Sequence, residues 1–225
     1  MTIPRLFSIL SFSIFLSTLF ESTAAAADCP EKFDDALRRI AAGYLSGNRE
    51  NLFLNLRCLR RPVEEYAADY ERFGSDDIFD KIERDTYNER LDVIKILTPM
   101  MKSKDRLTRG EIAATLAYYN FPSSKQWLSE YPDSPQKAVL YAILKYSRSY
   151  RWAIDRLSGM NGSAKGTEDA RLAEKMAYLN LLYHLAEPAS LPFVESLIDT
   201  SSDQRLNRRA LEIREKILRM NPDIK

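Results

Sequence analysis

The chain has 225 residues, with 33 lysines and arginines against 32 aspartates and glutamates, so its formal net charge is +1. A near-neutral chain is a poor candidate for general binding to nucleic acid or to a membrane surface, because both usually require an excess of basic residues. Only seven glycines occur, and the many Leu, Ala, Glu, Lys and Arg residues favour helices.

The first 27 residues have the three-part order of an export signal. Arg5 supplies the positive start, residues 6–20 form a short apolar run, and small residues end at Ala25-Ala26-Ala27. The run is shorter than the roughly 20 residues that span a bilayer. We therefore expect a cleaved signal at 1–27 and a periplasmic or secreted mature chain without an integral membrane segment.

Two cysteines, Cys29 and Cys58, remain in the mature chain. Asp28 occupies the place where a lipidated cysteine needs a small residue before it, which argues against a lipid anchor. Two thiols in an exported chain indicate one disulfide. We predict that Cys29 and Cys58 pair.

The predicted elements of the mature chain are helices separated by short breaks at Gly, Pro, Asn and Ser. In chain order they are FDDALRRIAAGYL, RENLFLNLRCL, VEEYAADYERF, DIFDKIERDTYNERLDVIKILTPMM (as one helix or two), EIAATLAYYN, a short helix through Trp127, QKAVLYAILKY, EDARLAEKMAYLNLLYHLA, SLPFVESLID and RLNRRALEIREKILRM. Capping signals stand at several helix starts, among them Thr108 with Glu111, Ser134 before Pro135, Thr167, and Ser201 with Gln204.

No stretch alternates as a strand would, so the predicted fold is all-α, with about nine to eleven helices. Antiparallel helix pairs of this kind build either a short right-handed α-solenoid or an irregular helical bundle. We expect a single repeat-like domain over 28–225. Any subdivision of it would fall near 102–108.

One segment, Trp127–Leu157, resembles the tetratricopeptide-like repeats of bacterial envelope proteins. The matching positions are Tyr131-Pro132-Asp133-Ser134-Pro135 in the turn, Ala138, Tyr141 and Tyr146 on the first helix, and Tyr150 and Ala153 on the second. The first helix is about one turn shorter than in that family, and Arg148 or Ser149 stands where a glycine is expected. The resemblance implies a superhelical scaffold with a concave face for peptides or proteins.

Catalytic motifs are sparse. The only histidine, His184, gives no Ser-His-Asp set or zinc cluster, and no cofactor or metal motif occurs, so we expect none. Ser134-x-x-Lys137 fits an acylation pattern, but Ser134 also fits a helix cap. Glu195-Ser196 resembles the Glu-Ser pair of lytic transglycosylases, although the glycine-rich segment that follows it in that family is absent.

The candidate binding residues are Tyr141, Lys145, Arg148 and Trp152. On an unbroken helix these four share one face, and two aromatics interleaved with two cations suit contact with a peptide, a sugar or a base. Two other readings stay open. The aromatics can pack on neighbouring helices, and Ser149 can break the helix.

The function that these observations favour is an exported helical scaffold that binds a protein or peptide partner. A helical enzyme acting on an envelope polymer through carboxylates is the alternative, and a small-ligand carrier with a pocket between helices is a third. Asn161-Gly162-Ser163 is a glycosylation sequon in a eukaryotic cell and a turn in a bacterium.

Overall fold

The structure, a computed structural model, describes residues 29–160 and 167–224. The predicted signal at 1–27 and the sequon at Asn161 lie outside the described residues. Within them, all regular structure is helical and no strand occurs. The all-α prediction is confirmed.

Twelve α-helices and four short 3-10 helices follow one another in the described residues. The α-helices are α1 Phe33–Ser46, α2 Arg49–Leu59, α3 Arg61–Ala68, α4 Tyr70–Phe73, α5 Ile78–Thr86, α6 Arg90–Leu97, α7 Arg106–Tyr118, α8 Pro135–Ile143, α9 Ser149–Gly159, α10 Glu168–Leu185, α11 Leu191–Thr200 and α12 Gln204–Met220. The 3-10 helices are Thr98–Lys102, Pro122–Gln126, Leu128–Glu130 and Pro188–Ser190. The long segment that the sequence left as one helix or two is divided into α5 and α6.

Two of the predicted helix caps are confirmed. The Ser134 hydroxyl accepts a hydrogen bond from the Lys137 backbone N–H at the start of α8, and the Thr167 hydroxyl accepts one from Ala170 at the start of α10. These bonds satisfy backbone donors that have no partner inside the helix.

The other two capping predictions are wrong. Helix α7 begins before Thr108, because the carboxylate of Asp105 already accepts from the Thr108 backbone N–H at 2.9 Å. Helix α12 is capped by Asp203, which accepts from two backbone N–H groups, and not by Ser201. In both cases an aspartate near the predicted cap accepts the hydrogen bonds of the first helical turn.

Helices α1 and α2 form a hairpin at the start of the described chain, and α11 and α12 form one at its end. Helix α10 packs against α3, α4, α8, α9 and α12. The α1–α2 turn is closed by Gly47, whose φ of 72° lies in the left-handed region that glycine adopts without strain. Helix α7 is buried along most of its length. One contiguous apolar core runs from Ala36 on α1 to Ile217 on α12.

Gly110 allows another part of the chain to lie directly on α7. A Cβ at this position would stand 2.7 Å from the backbone carbon and oxygen of Glu130 and 2.8 Å from the Tyr131 nitrogen. The absence of a side chain therefore lets the 3-10 helix Leu128–Glu130 approach α7 closely. This contact fixes the start of the turn that carries Asp133.

The predicted disulfide is present. Cys29 and Cys58 are bonded, with their Cα atoms 5.6 Å apart. The bond joins the segment before α1 to the end of α2. In the described residues, no helix has the length and apolar character needed to cross a membrane.

Candidate functional site

The helix that carries the four candidate residues is interrupted. Helix α8 ends at Ile143, α9 begins at Ser149, and Lys145 between them has a φ of 46°. The assumption of an unbroken helix is therefore wrong. Two hydrogen bonds, from the Tyr146 N–H to the Tyr141 carbonyl and from the Lys145 N–H to the Ala142 carbonyl, close the end of α8 as a Schellman motif.

The structure brings the two aromatic candidates together across this break. The rings of Tyr141 and Trp152 meet edge to face with centroids 5.3 Å apart, and Trp152 meets Tyr178 of α10 in the same way at 5.3 Å. Tyr141 is buried and Trp152 is half-buried. The pair therefore joins α8, α9 and α10 through favourable quadrupole contacts.

Asp133 is the polar centre of this aromatic cluster. Its Oδ1 accepts from the Trp152 indole N–H at 3.0 Å and from the Lys137 ammonium at 2.9 Å, and its Oδ2 accepts from the Arg156 guanidinium. Lys137 is buried and also donates to the Tyr131 carbonyl at 2.8 Å. We call Asp133, Lys137, Tyr141, Trp152 and Arg156 the Asp133 cluster.

One carboxylate meets two cations in the Asp133 cluster. Burial alone would raise the pKa of Asp133, but the hydrogen bonds and charges of Lys137, Trp152 and Arg156 lower it below its ordinary value. Burial lowers the pKa of Lys137, although Asp133 opposes this change. The carboxylate is therefore held ionised by partners that it also orients.

This arrangement does not assemble the acylation pattern that Ser134 and Lys137 offered. The Ser134 hydroxyl donates to the Pro132 carbonyl at 3.3 Å and caps α8. The Lys137 ammonium donates to Asp133 and to backbone carbonyls. A serine nucleophile requires its base within hydrogen-bond reach, and this lysine is directed elsewhere.

The two cationic candidates lie apart from the aromatic pair. Lys145 and Arg148 are exposed on the turn between α8 and α9, and neither forms an ion pair with a described residue. They are free to meet a partner, whereas Tyr141 is covered. Whether the four residues act together in binding stays a prediction.

The other catalytic candidate from the sequence, Glu195, is half exposed and pairs with Arg214 at 3.4 Å. A general acid at neutral pH usually requires a dry surrounding, which this position does not provide. In the part of the chain that the structure describes, no group of three or more His, Cys, Asp or Glu side chains is arranged to hold a metal ion.

His184 is enclosed by aromatic rings near the end of α10. Its ring lies 5.3 Å from Phe73, 4.7 Å from Phe79 and 5.5 Å from Tyr183, measured between centroids. Its Nε2 lies 2.6 Å from the Phe73 carbonyl oxygen. Because a carbonyl only accepts, Nε2 carries the proton, and the neutral ring is the form that fits.

This surrounding makes the stability of the fold depend on pH. Burial, together with the charges of Lys216 and Arg209, lowers the pKa of His184 to about 4, against the opposing effects of the Phe73 carbonyl and Asp76. The unfolded state then binds a proton at a higher pH than the folded state. The stabilisation that the neutral His184 ring contributes to the fold is complete above the ordinary histidine pKa near 6.5. It is lost as the pH falls toward about 4.

We therefore expect the free energy of unfolding to fall by at most about 3 kcal/mol between pH 7 and pH 4 through this one group. His184→Gln should flatten the decline between pH 7 and pH 5, because the amide still donates to the Phe73 carbonyl but does not titrate. Urea unfolding at a series of pH values measures this. The chain has one histidine, so an unchanged slope in the variant would contradict the assignment.

A surface that the sequence reasoning missed lies at the junction of α5 and α6. Tyr87 is 74% exposed and Leu91 is 78% exposed, although both are large and apolar. We call these two residues the Tyr87–Leu91 surface. Apolar residues four positions apart are also typical of a buried helix face. The sequence therefore carries no signal that separates an exposed pair from a buried one.

The junction is fixed on the end of α7 by the residues between Tyr87 and Leu91. The Tyr119 hydroxyl donates to the Glu89 carboxylate at 2.9 Å, and Arg90 donates to the Asn120 carbonyl at 2.6 Å. The exposed pair is therefore presented by a segment with defined tertiary contacts.

Comparison of the chain with models of protein families, with curated proteins and with solved structures finds no match.

Proposed function

We propose that this protein is an exported helical scaffold that binds a protein or peptide partner through the Tyr87–Leu91 surface. The observation that carries the proposal is the exposure of a tyrosine and a leucine, each about three quarters accessible, four positions apart at the junction of α5 and α6. An exposed patch built from several large apolar side chains marks an interaction site, and tyrosine is enriched among the residues that dominate binding energy.

The attachment of this surface to α7 supports the proposal. The Tyr119 hydroxyl donates to the Glu89 carboxylate and the Arg90 guanidinium donates to the Asn120 carbonyl, so two adjacent side chains tie the start of α6 to the end of α7. A partner would therefore meet a surface that is already ordered, which lowers the conformational entropy lost on binding.

Export is the second part of the proposal. The order of Arg5, the apolar run 6–20 and Ala25-Ala26-Ala27 supports a cleaved signal, and a disulfide between Cys29 and Cys58 fits an oxidising compartment. The resemblance of Trp127–Leu157 to tetratricopeptide-like repeats supports a scaffold role. Helices α8 and α9 of that segment pack on α10.

Photo-crosslinking in the native cell tests the proposal. A benzoylphenylalanine probe at Tyr87 should yield one discrete protein adduct, while a probe at Leu211, which is exposed on α12, serves as the matched control. Tyr87→Ser combined with Leu91→Ser should abolish partner capture. It should change the free energy of unfolding by only about 0.5 kcal/mol, because both side chains are exposed.

Mass spectrometry of the same samples identifies the adduct and reads the mature N-terminus, which we expect at or near Asp28. A probe at Arg148 tests the four candidate residues of the sequence separately. Equal adducts from Tyr87 and Leu211 would contradict the proposal. Adducts to glycan would favour an enzyme of envelope polymers instead.

A further inference from the structure

A cavity of about 320 Å³ opens between α9, α10, α11 and the start of α12. Its apolar walls are the side chains of Leu157, Leu179, Phe193, Leu197 and Leu206. The volume falls at the lower end of the range of small-molecule sites, about 300–1,000 Å³. The wall of this cavity is about equally polar and apolar, which suits a ligand that has one apolar and one polar part.

The polar part of the wall is formed by Lys175 and three hydroxyl residues, Ser158, Ser196 and Thr200. The Thr200 hydroxyl donates to the Ser196 backbone carbonyl at 2.7 Å. The hydroxyls of Ser158 and Ser196 make no hydrogen bond with a described residue. They remain able to donate to a ligand.

Lys175 is half-buried and forms no ion pair within the described part of the chain. Several other buried or half-buried cations of the fold have carboxylate partners: Lys137 pairs with Asp133, Arg209 with Glu212, and Lys216 with Asp76. A lysine without an anion, beside an apolar wall, presents a site for a negative group that carries an apolar chain.

We propose that this cavity binds a small amphipathic carboxylate. The alkyl chain packs against the five apolar side chains, and the carboxylate accepts hydrogen bonds from the Lys175 ammonium and the Ser196 hydroxyl. A cationic head group is repelled by Lys175, and a neutral head group forgoes the charge-assisted bond. This site is formed by α9, α10, α11 and α12 and does not include the Tyr87–Leu91 surface. The proposal of a ligand here does not depend on the proposed function.

Calorimetric titration of the purified protein with decanoate and with decanol tests the proposal. Decanoate should bind in a saturable way, about tenfold or more tightly than decanol, because a hydrogen bond to a charged group contributes more than one to a neutral group. Lys175→Met, which keeps the length of the side chain, should reduce the affinity for decanoate to that for decanol. The matched control Lys95→Met, at an exposed lysine on α6, should leave it unchanged.

Ser196→Trp places a large ring into the cavity from an exposed position on α11, and it should weaken the binding of both compounds. The proposal is overturned by an absence of saturable decanoate binding, by equal affinities of the two compounds in the unaltered protein, or by unchanged decanoate affinity in Lys175→Met. Tighter binding of a peptide that ends in a free leucine carboxylate would also overturn it, since a peptide terminus would then be the better ligand.

Discussion

Replacement of Glu111 by glutamine should lower the free energy of unfolding by about 3–5 kcal/mol, the cost of leaving a buried charge without its partner. Arg60 is 1% exposed, and its guanidinium donates to the Glu111 carboxylate and, at 2.9 Å, to the Thr115 hydroxyl. Burial alone would lower the pKa of Arg60, but Glu111 and Tyr131 raise it. Because a guanidinium is intrinsically far more basic than any neutral solution, Arg60 also keeps its proton in the variant and cannot avoid the cost by losing it.

Urea unfolding of Glu111→Gln measures this loss, and Glu65→Gln is the matched control. Glu65 forms an exposed ion pair with Arg61 on α3, so the same chemical change there should cost at most about 1 kcal/mol. Arg60→Met combined with Glu111→Met should recover most of the stability, because it removes both charges. A loss in Glu111→Gln no larger than that in Glu65→Gln would contradict the argument.

The Arg60–Glu111 pair also explains why one local prediction failed. Thr108 and Glu111 have the spacing of a capping box, in which the glutamate reaches back to the helix start. In the fold, Glu111 accepts hydrogen bonds from Arg57 of α2 and from Arg60 between α2 and α3, and Asp105 caps α7 instead. A contact between residues about fifty positions apart leaves no trace in a local pattern, so the sequence alone gave no means of choosing.

Helix starts at Ser134 and Thr167 could be predicted because their signals are local: an oxygen acceptor stands directly before an apolar periodic stretch. A break near Ser149 is among the expectations from the sequence, but the end of α8 at Ile143 could not be predicted. Its left-handed residue is Lys145, where glycine is usual, and the strain is offset by the hydrogen bonds that close the end of α8. The ring contact between Tyr141 and Tyr146 at 5.6 Å adds to this closure.

The break between α8 and α9 determines where the four candidate residues lie. Without it, Tyr141 and Trp152 would align with Lys145 and Arg148 along one helix. With it, the aromatics turn toward α10 and the cations remain in solvent. Residue types made this region a candidate site, but the geometry that separates a binding role from a packing role arises only from tertiary contacts.

Trp152→Ala should accordingly lower stability by about 3 kcal/mol, near the lower end of the cost of removing a buried tryptophan, because the ring is half-buried. The change removes two edge-to-face contacts and the hydrogen bond to Asp133. For a protein of this size the melting temperature should fall by about 6–12 °C.

Trp152→Phe separates the two kinds of contact, because it keeps an aromatic ring beside Tyr141 and Tyr178 but loses the indole N–H. It should cost less than Trp152→Ala by more than about 1 kcal/mol, since most of the lost stability comes from ring packing and not from one hydrogen bond. Tyr87→Ala, at an exposed aromatic, is the control and should leave the melting temperature nearly unchanged. If Trp152→Ala also melts like the unaltered protein, the packing role is refuted. A loss of partner capture in that stable variant would then establish Trp152 as a binding residue.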